Sequence, residues 1–307
     1  MELILNIGIL IASVVALWLG AIWIVDPAPK IARKLGISDL VVGLTIIAFG
    51  TSAPEFAVTI TAAIKHQANI SVGNIVGSNI FNLGFILGGV ALLQTIKTNR
   101  KIVYREGSIL VAVSILLFFF LRDLNLSFWE GIFLLAGLII YLSYLFIHKE
   151  TLEEDISTGT FRWYHVIQLI VGIIIVVTGG HYLVNSASVL AKAAGLSDWA
   201  IAVTVVAAGT SAPEFATSLV AAIKGRHGIS AGNLIGSDLF NIMGVLGLAA
   251  ILRPLHVAQD APLDIFLMVL LVITVVIMMR TGWKISRTEG AILILVNLLR
   301  WIFTLKQ

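Results

Sequence analysis

The chain has 307 residues, of which 59% are hydrophobic and only 12% charged, whereas a soluble globular domain carries about 25% charged side chains. So little charge cannot cover a water-facing surface, and at roughly 20 residues per span plus turns the length fits about ten transmembrane helices. Cysteine is absent, which excludes disulfides, iron–sulfur clusters, thiolate nucleophiles and Cys-based zinc sites. The net charge of +3 comes from basic residues scattered over the connections, which excludes a nucleic-acid footprint.

In chain order, hydropathy predicts spans near 3–25, 39–64, 71–94, 105–121, 128–147, 163–186, 197–223, 229–252, 262–280 and 288–305. The first apolar run starts directly after Met1-Glu2, has no basic leader and is too long for a signal-peptide core, so it reads as the first span. The fifth connection is the longest, with Glu150, Glu153, Glu154 and Asp155, and reads as a solvated linker too short for a soluble domain. The odd-numbered connections hold 14 of the 20 Lys and Arg residues. The excess of Lys and Arg on the cytoplasmic side of membrane proteins then places the linker in the cytoplasm and both termini outside.

The halves repeat each other. Gly50-Thr51-Ser52-Ala53-Pro54-Glu55-Phe56-Ala57 recurs unchanged at Gly209-Thr210-Ser211-Ala212-Pro213-Glu214-Phe215-Ala216, an offset of 159. The same offset maps Gly36, Ser38 and Asp39 onto Gly195, Ser197 and Asp198. It also carries Gly73-Asn74, Gly77-Ser78 and Phe81-Asn82 onto Gly232-Asn233, Gly236-Ser237 and Phe240-Asn241. This is an internal duplication. Five spans per half force the second copy to enter from the opposite face, and the charges agree. The first connection holds three basic residues against Lys192 alone in its partner, whereas Lys65 aligns with a loop holding Lys224 and Arg226. The expected fold is therefore an all-α polytopic membrane protein of ten transmembrane helices, built as two inverted-topology repeats of five. Residues 1–148 form the first repeat, 149–162 the linker and 163–307 the second repeat.

Inside hydrocarbon a carboxylate is costly and needs a partner. Glu55 and Glu214 fall in mid-span, each after a proline that removes a backbone donor and clashes with the carbonyl four residues back, Gly50 or Gly209. Each Gly-Thr-Ser-Ala-Pro run should break its helix at mid-depth and free carbonyl oxygens, with Ala48, Thr51, Ala207 and Thr210 as the donors. Irregular backbone at that depth is tolerated only where it lines a cavity or a bound ion. Pseudo-twofold symmetry would bring the two breaks together, carboxylate facing carboxylate, with Lys65 and Lys224 too far out to neutralise them. Two carboxylates among hydroxyls, amides and carbonyls make an all-oxygen site for a hard cation. Ca²⁺ fits by charge and ligand number and Na⁺ is the other natural occupant, whereas Mg²⁺ dehydrates reluctantly. The competing reading is a protonated acid satisfied by a neighbour's carbonyl.

Asn74, Ser78 and Asn82 recur every four residues on one face of the third span, and Asn233, Ser237 and Asn241 repeat the stripe on the eighth. Asn74 and Asn233 read as interhelical glue beside small residues. Ser78, Asn82, Ser237 and Asn241, level with the breaks, read as ion ligands. Asp238 breaks the symmetry by standing opposite Asn79; it is open between facing water or the cation route and being a protonated packing residue. His181, alone in the sixth span, reads as a hydrogen-bonded packing histidine, and most other His, Trp and Tyr as interfacial anchors.

The paired Gly-Thr-Ser-Ala-Pro-Glu segments, each followed by Gly-Asn-(x)2-Gly-Ser-(x)2-Phe-Asn, resemble the α-repeats of the calcium/cation antiporter superfamily, and prokaryotic Na⁺/Ca²⁺ exchangers in particular. The resemblance covers essentially the whole chain. It implies a core of the second, third, seventh and eighth helices across which the long first and sixth helices slide. It implies Ca²⁺ binding by Glu55 and Glu214 with backbone oxygens of Thr51 and Thr210. Sodium sites would add Ala48, Ser52, Ser78, Ala207, Ser211 and Ser237, and Asn82 and Asn241 would complete the centre. Potassium-dependent members carry Asp at the Asn241 position, so Asn there argues against potassium dependence. The short linker has no room for the large regulatory domains of animal exchangers. Proton-coupled relatives usually show a different motif where this chain has Gly-Thr-Ser.

The expected activity is secondary antiport of Na⁺ for Ca²⁺ across the cell membrane by alternating access, with no resident cofactor, no nucleic acid and no implied protein partner. Ca²⁺/H⁺ exchange through the same glutamates is the nearest alternative and a cation channel a further one. An intramembrane enzyme is disfavoured because the chain has no Cys, no His-Glu-x-x-His and no paired catalytic Asp motif.

Overall fold

A computed structural model describes residues 2–148, 160–195, 207–259 and 261–304. The protein is all-helical apart from four two-residue strands among these residues. Seven of the described helices are long and apolar enough to cross a membrane, and the bent pair Asp39–Thr51 and Ala53–Ile64 makes an eighth. Ala212–Ile223 and Arg287–Thr304 are further helices in the expected places. The expected start of the seventh span, 197–206, and most of the linker, with its four acidic residues, lie outside the described residues, as do Ser197 and Asp198.

Most predicted boundaries hold to a few residues; the fifth span, Phe128–Ile147, coincides with its prediction. The sixth runs seven residues past expectation, as Tyr164–Ala193, and the chain turns beyond it at Gly195, whose φ of 88° favours glycine. The first connection holds an unpredicted amphipathic helix, Ala28–Leu35. Pro29 sits in its first turn, where the missing N–H costs nothing, Arg33 and Lys34 favour its C-terminal end, and Gly36 closes it in the left-handed region. Its eight residues are too few for a hydropathy window to register.

The third and eighth spans form the centre. An 18-residue apolar stretch of Ala68–Leu93 is 72% buried and one of His227–Leu252 78%, against 28% for those of Leu3–Leu35, Phe128–Ile147 and Tyr164–Ala193. Those outer helices present Trp18, Phe133, Ile140 and Ile174 outward, as a lipid-facing surface requires. The eighth span approaches the second through glycine, whereas the aligned Gly73 and Gly77 of the third span have no such neighbour among the described residues. A Cβ added at Gly232 would lie 2.7 Å from the Leu40 carbonyl, and one at Gly236 2.6 Å from that of Leu44. Close backbone approach of this kind is how small residues bind helices together in lipid.

The connections are tied across the halves. Ile96 and Lys97 pair antiparallel with Ile285 and Lys284, and Asn125 and Leu126 with His256 and Leu255. The offset of 159 converts the first ladder into the second, register included. The helices that follow begin alike. Ser127 and Glu130 form a capping box, and Ser286 and Glu289 make the same reciprocal bonds. One fully buried acid lies away from the centre: Glu106 bonds Tyr141 and Arg105. The offset puts Ile265 opposite it, so no duplicated motif announces this bond.

Candidate metal centre

The duplicated motif folds the same way in both copies. In the first, the helix ends at Thr51, Ser52 leaves helical geometry (φ −78°, ψ 9°), and a new helix starts at Ala53 with Pro54 in its first turn. The two segments meet at 52°. Ser211 takes nearly the same conformation (φ −89°, ψ 9°) before Ala212–Ile223. Proline is well placed at a helix start, and each glutamate falls in the first turn of the new helix, where the helix dipole favours a carboxylate. The expected freeing of carbonyls is incomplete at Ala48, whose oxygen accepts the Ser52 N–H at 3.0 Å and the Thr51 hydroxyl at 3.4 Å.

The bends meet. Ser52 Oγ donates to Glu214 Oε1 at 3.1 Å, and Ser211 Oγ donates to Glu55 Oε1 at 2.9 Å. Each hydroxyl thus serves the glutamate of the other half. Ser237 Oγ reaches Glu214 Oε1 at 3.4 Å, and Ser78 lies beside Glu55. Both glutamates are fully buried, and their Oε2 atoms have no hydrogen-bond partner. Thr51 is buried and its hydroxyl donates to Asn233 Oδ1 at 3.1 Å; Thr210 is 8% exposed. Ala207 opens the short helix Ala207–Thr210.

The central helices contribute two sets of amides. Asn74 Nδ2 donates to Thr59 Oγ1 at 2.9 Å and to the Glu55 carbonyl at 3.3 Å, and Asn233 Nδ2 to Ser218 Oγ at 3.0 Å and the Glu214 carbonyl at 3.4 Å. These bonds cross from the central helix to the adjacent broken one, which is the glue role. The second set lies one turn beyond the serines. Asn82 Nδ2 donates to Asp238 Oδ1 at 3.0 Å, Asn241 Nδ2 to Asn79 Oδ1 at 2.9 Å, and Asn79 Nδ2 to the Asp238 carbonyl at 3.2 Å. Asn82 Oδ1, Asn241 Oδ1 and Asp238 Oδ2 are buried without a partner.

Asp238 is therefore buried among amides and does not face water. His181 differs from expectation: it bonds Asn185 at 3.0 Å but is exposed on its helix, not packed inside. Asn79 escaped attention because it lies outside the four-residue stripe; its only signal was its alignment with Asp238. Among the described residues no three His, Asp or Glu side chains gather as a metal-ligand group. What gathers is two carboxylates, hydroxyls and amide oxygens. Oxygen donors without soft ligands suit hard cations.

An all-helical, multi-pass membrane protein with a buried pair of carboxylates at broken helices has the architecture of an ion transporter. The chain belongs to the sodium/calcium exchanger protein family, whose model matches residues 5–147 and 164–305. CaxA of Alkalimonas amylolytica, named as a candidate antiporter, is 35% identical over 307 residues, covering 95% of this chain and 96% of its own. The sodium/calcium exchanger MaX1 of Methanosarcina acetivorans is 33% identical over 337 residues, covering 94% and 95%. Among solved structures, the sodium–calcium exchanger NCX_Mj, soaked without Na⁺ and Ca²⁺, superimposes with a TM-score of 0.85 at 29% identity, covering 97% of this chain and 98% of its own. The same exchanger has also been soaked with Na⁺ and Sr²⁺. These relatives are named as exchangers or, for CaxA, as a candidate antiporter.

Proposed function

We propose that the protein is a Na⁺/Ca²⁺ antiporter of the cell membrane that works by alternating access around one site formed by Glu55 and Glu214. The observation that carries this reading is the reciprocal crossing of Ser52 to Glu214 and Ser211 to Glu55, which leaves one oxygen of each buried carboxylate unpartnered. Buried oxygens without partners are costly, and a cation that accepts them removes that cost. One Ca²⁺ balances the two negative charges, and two Na⁺ do so equally. An empty site stays uncompensated in the low-dielectric interior, so passage between the two faces favours the loaded protein, and exchange is enforced over leak.

In this reading Thr51, Thr210, Ala48 and Ala207 supply backbone oxygens, while Ser52, Ser211, Ser78, Ser237, Asn82 and Asn241 complete the set. The scaffold is two inverted-topology repeats of five spans, 1–148 and 163–307, joined by a cytoplasmic linker, 149–162. The two connection ladders interchanged by the offset, and the two stretches matched by the family, support this division.

The test is Na⁺-gradient-driven ⁴⁵Ca²⁺ uptake into liposomes. Glu55→Gln and Glu214→Gln should each abolish it, and wild-type uptake in both variants overturns the proposal. Uptake that persists under a pH gradient in sodium-free medium would replace Na⁺ by H⁺ as the coupling ion, and conductance without a counter-ion would indicate a channel. Because cysteine is absent, single cysteines placed at Lys97 and Arg253 can be labelled separately. Inversion requires the former to react only from the cytoplasmic side and the latter only from outside.

A further inference from the structure

We propose that Asp238 fixes the amide orientation of both Asn82 and Asn241, and so decides that each turns its oxygen, not its NH₂, toward the cation. The inference rests on the glutamate pair being the cation site. An asparagine amide has a donor end and an acceptor end, and exchanging them reverses what the side chain offers a positive ion. A pocket containing Asn82 and Asn241 binds a cation well only if something else holds their nitrogens.

The Asp238 side chain does this for Asn82. With no proton on Oδ1 of Asp238, that oxygen only accepts, so the Asn82 nitrogen is the end that faces it at 3.0 Å. The Asn82 oxygen is then turned away, buried and without a partner. The Asp238 backbone does the same for Asn241 through one intermediary. A carbonyl only accepts, so Asn79 must present Nδ2 to the Asp238 carbonyl, here at 3.2 Å. That leaves Asn79 Oδ1 as an acceptor, which takes Nδ2 of Asn241 at 2.9 Å and leaves the Asn241 oxygen free. Asn82 and Asn241 each lie four residues beyond Ser78 and Ser237, on the face that reaches the glutamates. All four amide and acid side chains are buried, at 1% exposure or less, so water does not offer alternative partners. The Asp238 side-chain Oδ1 and backbone carbonyl are taken up by Asn82 and Asn79. It is a positioning residue, and Asn79 is its relay.

The orientation needs an acceptor held toward Asn82, which makes a specific substitution pattern. Asp238→Asn can offer either end of its amide to Asn82, so its apparent Ca²⁺ Kd should fall between those of wild type and Asp238→Leu. Asp238→Leu removes the side-chain acceptor, and loss of a group that orients a ligand typically costs about 10–100-fold in metal affinity. The decisive measurement is a double-mutant cycle on Ca²⁺ binding to the full-length purified protein, read by ⁴⁵Ca²⁺ binding and by Ca²⁺-dependent thermal shift. Asp238→Leu should add almost nothing in an Asn82→Ala background, and Asn79→Leu almost nothing in Asn241→Ala. Asn79→Leu and Asn82→Ala, which act on different arms, should add.

Asp238→Leu adding its full effect to Asn82→Ala overturns the inference. If Asp238→Leu does not fold, the Asn79 and Asn241 cycle decides it. Glu55→Gln and Glu214→Gln serve as the reference: loss of Ca²⁺ binding there with additive cycles here rejects the positioning role alone. Retained binding in both rejects the site itself.

Discussion

The two copies of the broken-helix motif are identical over eight residues, yet they sit in different surroundings. Glu214 has Ser52 and Ser237 beside it as Glu55 has Ser211 and Ser78, but the Asn233 behind Glu214 both donates to Ser218 and accepts from Thr51. Asn74, behind Glu55, only donates. One copy has Asp238 where the other has Asn79. The bend and the crossed serine bonds are held in common, and the differences lie one layer out. The diverged pair also bridges the halves, since Asn79 and Asn82 of the first copy both donate to Asp238 of the second.

The strongest test of that equivalence is loss of charge. Each glutamate provides half of the anionic charge at the centre, and removing one partner of a buried charged pair costs about 3–5 kcal/mol. Glu55→Gln and Glu214→Gln should therefore each weaken Ca²⁺ binding by at least about a hundredfold, and to the same degree. A large disparity, measured by ⁴⁵Ca²⁺ binding, would mean that one carboxylate holds the ion and the other supports it.

The crossed serines come next. Ser52→Ala removes the shorter of two hydroxyl bonds to Glu214 Oε1, and Ser211→Ala the bond to Glu55 Oε1, a loss of about 1–3 kcal/mol each. Each should raise the Ca²⁺ concentration for half-maximal uptake by about tenfold. Because Ser52 serves Glu214 and Ser211 serves Glu55, Ser52→Ala should lose most of its effect in a Glu214→Gln background but not in Glu55→Gln. Reversal of that pattern in binding measurements would show that the bonds do not cross.

Much of this was legible in the residues. The repeated Gly-Thr-Ser-Ala-Pro-Glu announced both bends, because proline and glycine act through local backbone chemistry that needs no partner. The Asn-Ser-Asn stripe announced a polar helix face, because spacing alone fixes which side chains align. Which amide bonds which neighbour was not legible. Asn74 and Asn82 share a face and a residue type, yet one holds Thr59 and the other Asp238, a choice made by the facing helix. Glu106 was hidden for the same reason: its partner Tyr141 comes from the next span. The wide π-helical turns Gly43–Ile47, Asn82–Ile86 and Phe240–Leu246 also leave no hydropathy signature, since they alter winding without altering composition.

The amides behind the glutamates should separate the copies by stability. Asn233 has three hydrogen bonds and Asn74 two, and interhelical bonds in membranes average about 0.6 kcal/mol each. Asn233→Leu should lower the thermal midpoint in detergent more than Asn74→Leu, and Thr51→Val should remove most of the difference. Equal shifts would reduce the Thr51 contact to simple proximity.

The smallest effect expected lies at the rim. Lys224 pairs with Asp26 and Arg226 with Asp39, tying the loop after one broken helix to the opposite half. The offset places Asn185 opposite Asp26, and Asn185 bonds His181 instead, so the Lys224–Asp26 pair has no counterpart among the described residues. Lys224 and Asp26 are 35% and 43% exposed, and ion pairs that open to water contribute about 0–1 kcal/mol and fade with salt. Asp26→Asn should therefore change the thermal midpoint little, and less still at high ionic strength, with Na⁺-driven uptake within about twofold of wild type. Uptake altered by tenfold or more at low salt, and restored at high salt, would make the Lys224–Asp26 pair part of the transport cycle.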